Sequence, residues 1–504
     1  MEDTRSDARR RYPRRLLDNG LFKRLELNSL TPLIKIAGCL IFAIVIFQLP
    51  PGNGTMAGGG VTTDGSESAA SGLTLPAIPL TEAGRWTLFI LVFAAGLWAT
   101  EAIPAFAVAL VVIGMQIVII GKPWSSSAGD AMDWEMFAAT LGNPLIWLFF
   151  GGFVLAAAAE KTGLNRAIAS EVIRRLGTRP GPLLAGSMGV TFVFSMFISN
   201  TAAATMMLAV MLPVVGSLGP EDRFRKAMVL GIAFAANLGG MGTVIGSPPN
   251  AIAAGALAGV QPVDFFRWIV AAAPPATLMI ILTWAYLMLR YRPAVRELDL
   301  AAFAGATAPH RLPIWRRYLV VLVFCVTVLL WLTTSLHGVP STVVAFVPIC
   351  VLCACGVIDG DDICEIRWDV LLLIAGGLSL GLGVTQSGLA NWLVGLLPMD
   401  RFASLAVVLL LAYATMALSN VMSNTAAANI LVPIGLVVGA GSEAATVIPL
   451  AIGASAAMCL PISTPPNAIA YGTGQVTSKD MIQAGIWIGL LAPVLAALWC
   501  RAVL

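Results

Sequence analysis

The sequence predicts an all-α polytopic membrane protein of about 11 transmembrane helices plus two re-entrant hairpins, arranged as two inverted repeats. Three observations predict it. Of the 504 residues, 58% are hydrophobic and only 11% are charged, against roughly 25% charged in soluble domains. Apolar runs near the about 20 residues that a spanning helix needs recur along the chain. Four short motifs of the first half return in the second half in the same order. Such a composition excludes a soluble enzyme and a disordered scaffold. A scattered net charge of +3 makes no phosphate-tracking surface, so no nucleic-acid partner is expected.

The N-terminus, residues 1–30, carries Arg9, Arg10, Arg11, Arg14 and Arg15, which favours the cytoplasmic side. The first apolar run begins only near residue 31 and no small-residue cleavage site follows it, so it reads as an uncleaved helix rather than a signal peptide. Residues 31–85 hold that helix and a Gly/Ser/Thr-rich outer loop whose only basic residue is Arg85. Asn53-Gly54-Thr55 in this loop is a glycosylation acceptor in a eukaryotic setting.

Repeat 1 is expected over 86–290, with apolar runs near 86–103, 105–120, 143–160, 181–218, 227–265 and 267–290. Repeat 2 is expected over 317–504, with runs near 317–335, 340–358, 369–387, 403–440, 445–475 and 483–500. Runs 181–218, 227–265 and 403–440 are too long for one straight crossing and are interrupted by small, polar or Pro/Gly residues. Such interruptions survive in a membrane only where protein or a water-filled cavity satisfies the freed backbone.

Loops 161–180 (Lys161, Arg166, Arg174, Arg175, Arg179) and 219–226 (Arg223, Arg225, Lys226) are basic, as is the linker 291–316 (Arg292, Arg296, Arg311, Arg316). All three are therefore expected in the cytoplasm. They agree only if 181–218 is an inward hairpin and 403–440 an outward one, which places the C-terminus outside. Loop 359–367 is acidic where this topology puts it inside, a misfit that a rule based on Lys and Arg tolerates.

The internal repeat is the strongest signal. Gly151-Gly152 answers Gly376-Gly377, and Thr162-Gly163-Leu164 answers Ser387-Gly388-Leu389, both at an offset of 225. Ser195…Ser199-Asn200-Thr201 answers Ser419…Ser423-Asn424-Thr425 at 224, and Ser247-Pro248-Pro249-Asn250 answers Thr464-Pro465-Pro466-Asn467 at 217. Inverted repeats with broken helices are the architecture of secondary transporters, whose site lies at mid-membrane where the repeats meet.

At each S-x-x-x-S-N-T tip the two serines are expected one turn apart, where an entering helix ends. Unpaired carbonyls and the negative end of the helix dipole favour a cation there. Hydroxyls and an amide oxygen complete a neutral all-oxygen set suited to a hard cation, read as Na⁺. The exiting helix opens with Thr-Ala-Ala-Ala, and its amides attract a carboxylate. The doubled proline of each break removes two donors and frees preceding carbonyls, which are expected to complete the cation site. No Lys, Arg or His lies in the motif cores, so bound cations would be the anion's nearest positive charges. A single S-N-T is an ordinary hairpin cap; two copies, each followed 41–48 residues later by [ST]-P-P-N, ask for more.

Other candidates read as structural. Cys350, Cys353 and Cys355 sit in an apolar run away from His310 and His337, so they read as helix filling rather than a zinc site. Glu101 reads as an interfacial carboxylate before a proton relay.

From about residue 85 to the C-terminus the chain resembles the divalent anion:sodium symporter family, which includes sodium/dicarboxylate and citrate transporters. The residues that carry the likeness are WATEAIP (98–104), the Gly-Gly helix before each hairpin, WDVLLLIAGG (368–377), both SNT tips and LPISTPPNAIAYGTG (460–474). The resemblance implies a sodium site from Ser195, Ser199, Asn200 and the carbonyl of Gly246. It implies a second from Ser419, Asn424 and the backbone at Met422 and Ser463, with Ser423 nearby. The substrate carboxylates would lie against Asn200, Thr201, Ser247, Pro248, Asn424, Thr425, Thr464 and Pro465. It further implies a homodimer and an elevator motion. Two departures stand out: Pro213 follows Thr201 by 12 residues where Pro433 follows Thr425 by 8, and Ser463 replaces the family's usual Ala.

The expectation is thus a sodium-coupled importer of C4-type dicarboxylates (succinate, malate, fumarate) in a bacterial inner membrane, and not an enzyme. Its rivals are a sodium-independent dicarboxylate exchanger and a carrier of citrate, tartrate or sulfate. An intramembrane enzyme would need a catalytic cluster that the sequence does not offer, and a sensor would need a signalling domain.

Overall fold

Every regular element among the described residues is a helix. The computed structural model describes residues 30–48, 80–122, 132–219, 221–298, 313–396, 404–439 and 441–504. The basic N-terminus, the Asn53-Gly54-Thr55 acceptor, and His310 and Arg311 of the linker lie outside them.

Leaving single turns unnumbered, the helices are α1 (Leu30–Gln48), α2 (Glu82–Thr100), α3 (Ala105–Met115, continued by a π-helical turn Gln116–Ile120), α4 (Pro144–Lys161), α5 (Leu164–Leu176), α6 (Pro180–Ser195) and α7 (Asn200–Ser217). Then come α8 (Phe224–Met241), α9 (Pro248–Leu257), α10 (Phe265–Arg290), α11 (Ile314–Leu332), α12 (Phe346–Ala354) and α13 (Trp368–Gln386). The chain ends with α14 (Leu389–Leu396), α15 (Ser404–Ser419), α16 (Asn424–Val438), α17 (Glu443–Ser455), α18 (Pro465–Gly472) and α19 (Ser478–Val503). Among the described residues, eight helices are long and apolar enough to cross a membrane. The protein is a polytopic helical membrane protein.

The repeats interleave. Hairpin α6–α7 packs on α8 of its own repeat, and α15–α16 packs on α17. Beyond each break the chain crosses over: α9 lies against α16, and α18 lies against both α7 and α8. The paired glycines explain themselves here. A Cβ on Gly151 would stand 2.6 Å from the Ala345 carbonyl of the other repeat, and one on Gly376 would collide with Ala109. Their neighbours face the core, Gly152 against Ile245 and Gly377 against Asn429. The repeated Thr/Ser-Gly-Leu is the turn out of α4 and α13, with Gly163 at φ 64° and Gly388 at φ 77°, a left-handed conformation in which glycine is free of Cβ strain.

Contacts sort the loops into two faces. Lys161 binds Asp359 at 2.8 Å and Asp362 at 2.5 Å, Leu298 N donates to Thr178 O at 2.8 Å, and Ala294 N donates to Asp222 at 3.3 Å. Lys226 binds Asp480 at 2.8 Å. The acidic loop 359–367 therefore shares a face with the three basic segments, and its carboxylates have a local reason: Asp359 and Asp362 pair with Lys161. The Lys161 ammonium bond holds the exposed Asp359 carboxyl down at about 2. On the opposite face Thr81 binds Ser387 O at 2.6 Å, Ala444 N donates to Gln261 at 2.9 Å, and Trp499 Nε1 donates to Val270 O at 2.8 Å. Hairpin α6–α7 begins beside Thr178 and ends beside Asp222, on the first face; α16 runs out towards Ala444, on the second.

Two local expectations change. Segment 161–180 is not all loop, because α5 buries Leu164, Asn165, Ala169 and Ile173 at intervals that line one side of a helix. Its charged opposite side hides it from a search for apolar runs, and α14 escapes because it is short. The second tip serine does not lie on the entering helix. Ser199 (φ −61°, ψ 141°) and Ser423 (φ −65°, ψ 144°) are extended and cap the exiting helices.

Candidate functional site

Each hairpin tip builds the same constellation. Ser195, the last residue of α6, places Oγ 2.7 Å from Asn200 Oδ1 and 2.6 Å from the carbonyl of Ala236 on α8. Ser419, the last residue of α15, places Oγ 2.8 Å from Asn424 Oδ1 and 2.7 Å from the carbonyl of Ala454 on α17. A serine hydroxyl has one proton, so three oxygens converge around a single donor at each tip. Both serines are fully buried. Such an all-oxygen set, with fewer protons than acceptors, is chemically suited to a hard cation. Gly240 makes room: a Cβ there would stand 2.6 Å from Asn200 Nδ2.

The exiting helices present their N-termini to this cluster. Ser199 Oγ accepts from Ala202 N at 3.2 Å, and Ser423 Oγ accepts from Ala426 N at 3.2 Å. The amides of Asn200 and Thr201, like those of Asn424 and Thr425, precede the capped ones at the helix mouth, where the dipole favours an anion.

The breaks carry a second duplicated device. Asn250 Nδ2 donates to the carbonyls of Gly240 at 2.8 Å and Thr243 at 2.7 Å. Asn467 Nδ2 donates to those of Met458 at 2.9 Å and Leu460 at 3.1 Å. The asparagine of each Pro-Pro-Asn thus ties its own break together by donating to carbonyls that precede it, while the two prolines open α9 and α18 at positions whose N–H groups have no helical acceptor. Each tip is also tied to its break: Thr243 Oγ1 donates to Met196 O, and Asn420 Oδ1 accepts from Cys459 N at 3.0 Å.

The two breaks meet across the repeats. Asn237 on α8 donates to Thr464 Oγ1 at 3.0 Å and to Asn467 Oδ1 at 3.2 Å. At the corresponding place on α17, Ser455 Oγ lies 3.3 Å from Ser247 Oγ.

The candidate residues therefore gather at two tips and two breaks of one interleaved core. Ser195, Ser419, Gly246, Ser247, Ser463 and Thr464 are buried; Asn200, Thr201, Asn424, Thr425, Ser199, Met422 and Pro248 are half-buried; Ser423 and Pro465 are exposed. Gly246 lies so close to Gly240 that a Cβ would stand 2.6 Å from its carbonyl. Ser463 Oγ donates to Leu460 O at 2.8 Å.

Sequence reasoning missed Asn237, Ser455, Gln116 and Asn429. Asn237 and Ser455 occupy matching positions with different residue types, so a search for identical motifs passes over them. Gln116 Nε2 donates to Ser379 O at 2.9 Å and Gln116 Oε1 accepts from Ser379 Oγ at 2.5 Å, a buried clasp between α3 and α13. Asn429, 1% exposed, has neither end of its amide hydrogen-bonded among the described residues. A polar residue inside an apolar run was the available signal for both.

A model of the family described as the sodium:sulfate symporter transmembrane region matches residues 72–502. The sodium-dependent dicarboxylate transporter SdcS of Staphylococcus saprophyticus is 30% identical over 459 residues, covering 83% of this chain and 86% of that protein. SdcS of Staphylococcus aureus strain USA300 is 30% identical over 454 residues, covering 82% and 85%. Among solved structures, the Alcanivorax borkumensis YdaH transporter superimposes with a TM-score of 0.51 at 14% identity, covering 78% of this chain and 95% of that one, a likeness of fold alone.

Proposed function

The chain belongs to the divalent anion:sodium symporter family, a family of transporters rather than enzymes, and on that premise we propose that it couples Na⁺ to the uptake of C4-type dicarboxylates such as succinate, malate and fumarate. The observation that carries this reading is the proton-poor oxygen triad repeated at both tips. The names of the staphylococcal relatives support sodium and dicarboxylate together.

In this reading one Na⁺ is held by Ser195, Ser199, Asn200 and the Gly246 carbonyl, and the other by Ser419, Asn424 and the backbone at Met422 and Ser463. The two carboxylates of the substrate lie against Asn200, Thr201, Ser247 and Pro248 on one side and Asn424, Thr425, Thr464 and Pro465 on the other. With no cationic side chain in the motif cores, the bound sodium ions supply the positive charge, so the anion binds poorly without them. Two Na⁺ with one divalent anion move no net charge. The protein works as a homodimer in a bacterial inner membrane, with eleven crossings, a cytoplasmic N-terminus and an outside C-terminus. Its hairpins and broken helices carry the site across as one elevator body.

The test is labelled succinate uptake into proteoliposomes of pure protein, with Na⁺ or K⁺ outside and with or without succinate inside. Uptake into empty vesicles driven by a Na⁺ gradient is the expected result. Uptake that needs internal succinate and ignores Na⁺ makes it an exchanger, and uptake of citrate or sulfate alone overturns the substrate.

A further inference from the structure

We infer that Asn237 is a positioning residue that turns the Thr464 hydroxyl into an obligate hydrogen-bond donor towards the substrate anion, and that this makes the two ends of the anion site unlike.

The inference rests on the reading above that Thr464 faces the substrate, and it follows from tracing each proton in turn. Asn467 Nδ2 sits against two carbonyls, Met458 O and Leu460 O, and carbonyls only accept. That fixes the orientation of the Asn467 amide and leaves its Oδ1 facing Asn237, 3.2 Å away. An acceptor there requires a donor, so Asn237 must present Nδ2 rather than Oδ1. The same Nδ2 group then reaches Thr464 Oγ1 at 3.0 Å. The Asn467 backbone N–H also donates to Thr464 Oγ1, at 3.3 Å. Thr464 Oγ1 thus receives two hydrogen bonds, and its own O–H proton is left to point elsewhere.

A carboxylate is an acceptor only, so a threonine locked as a donor suits it and a free rotor suits it less. Asn237 is 1% exposed, and its Oδ1 has no partner among the described residues. Both of its amide protons are aimed at the second break.

The other end differs. There the matching position is Ser455, 3.3 Å from Ser247, and either hydroxyl can donate. Asn250 Oδ1, the counterpart of the oxygen that Asn237 addresses, is unpartnered among the described residues. Ser247 is therefore free to donate or accept, whereas Thr464 can only donate. Each hydroxyl meets a side chain of the opposite repeat, but only Thr464 has its direction set by one.

The test compares Asn237→Asp, Asn237→Ala, Thr464→Val and the double variant Asn237→Asp/Thr464→Val in proteoliposomes. KM and Vmax for Na⁺-driven succinate uptake are measured, and melting temperature with and without Na⁺ serves as the control for folding and cation binding. Asp offers an acceptor that draws the Thr464 proton away from the substrate, so its KM is expected to rise tenfold or more. Ala leaves the hydroxyl free to rotate and is expected to raise KM severalfold. The Na⁺-induced rise in melting temperature persists in both. In the double variant Asn237→Asp adds less than twofold to the effect of Thr464→Val, because Asn237 acts through that hydroxyl. If Thr464→Val raises KM but Asn237→Asp and Asn237→Ala stay within twofold of wild type, or lower Vmax alone, this inference is overturned while the site reading stands. If Thr464→Val leaves KM unchanged, the site reading itself fails.

Discussion

The Ser195 hydroxyl lies 2.7 Å from the amide oxygen of Asn200, and the same pair recurs 224 residues on, as Ser419 and Asn424 at 2.8 Å. In each case a backbone carbonyl of the neighbouring broken helix is the third oxygen. If these triads hold Na⁺, Ser195→Ala and Ser419→Ala each raise the Na⁺ concentration for half-maximal uptake at least severalfold. Unchanged Na⁺ activation in both variants would place the cations elsewhere.

Gly240 sits directly over Asn200. Gly240→Ala pushes a methyl group into that amide and is expected to abolish uptake. The matched control is Gly189→Ala on α6, where an added Cβ meets nothing within 4 Å; there helix propensity favours Ala by about 1 kcal/mol and uptake is retained. Equal activity of the two variants would show that Asn200 has freedom the fold does not suggest.

Gly151 lets α4 touch the backbone at Ala345 of the other repeat. Gly151→Ala forces that contact apart, at a cost of about 1–3 kcal/mol for an overpacked core position. A lower melting temperature with KM little changed is the expected pattern, and a wild-type melting curve counts against the close approach.

Asn429 is the reverse case. Its buried amide has no hydrogen-bond partner among the described residues, and such a group costs about 1–3 kcal/mol. Asn429→Leu is therefore expected to raise the melting temperature. A lower one means that the amide is satisfied by a ligand in the working protein, and loss of uptake in the same variant assigns it to transport.

The link from Lys161 to the acidic loop has a defined pH range. Asp359 is held at about 2 by the Lys161 ammonium, below its ordinary 3.8. A carboxyl depressed in the folded state contributes stability that is fully present above its unfolded value and lost as pH falls through the folded one. The difference in melting temperature between wild type and Asp359→Ala should therefore be flat from about pH 5 to pH 9. A step in that range would point to a different titrating group.

Much of the architecture was legible because a bilayer punishes irregular backbone. A Pro-Pro-Asn or Ser-Asn-Thr inside an apolar run has to be satisfied by something, and its exact return in the second half marked both hairpins and both breaks. Residue type also carried the tip chemistry, since Ser195 and Asn200 are near neighbours in the chain and meet by local folding. The amphipathic helix α5 was not legible, because a search for apolar runs discards a helix whose outer side is charged.

Local spacing and composition were enough to reveal the membrane setting, the two repeats and the residue types at each tip. What joins them emerged from the packing of the helices. Asn237 meets Thr464 across 227 residues, Ser455 meets Ser247 across 208, and Lys161 meets Asp362 across 201. Contacts between distant segments depend on how helices cross and on which way each side chain points, and no short-range pattern records either.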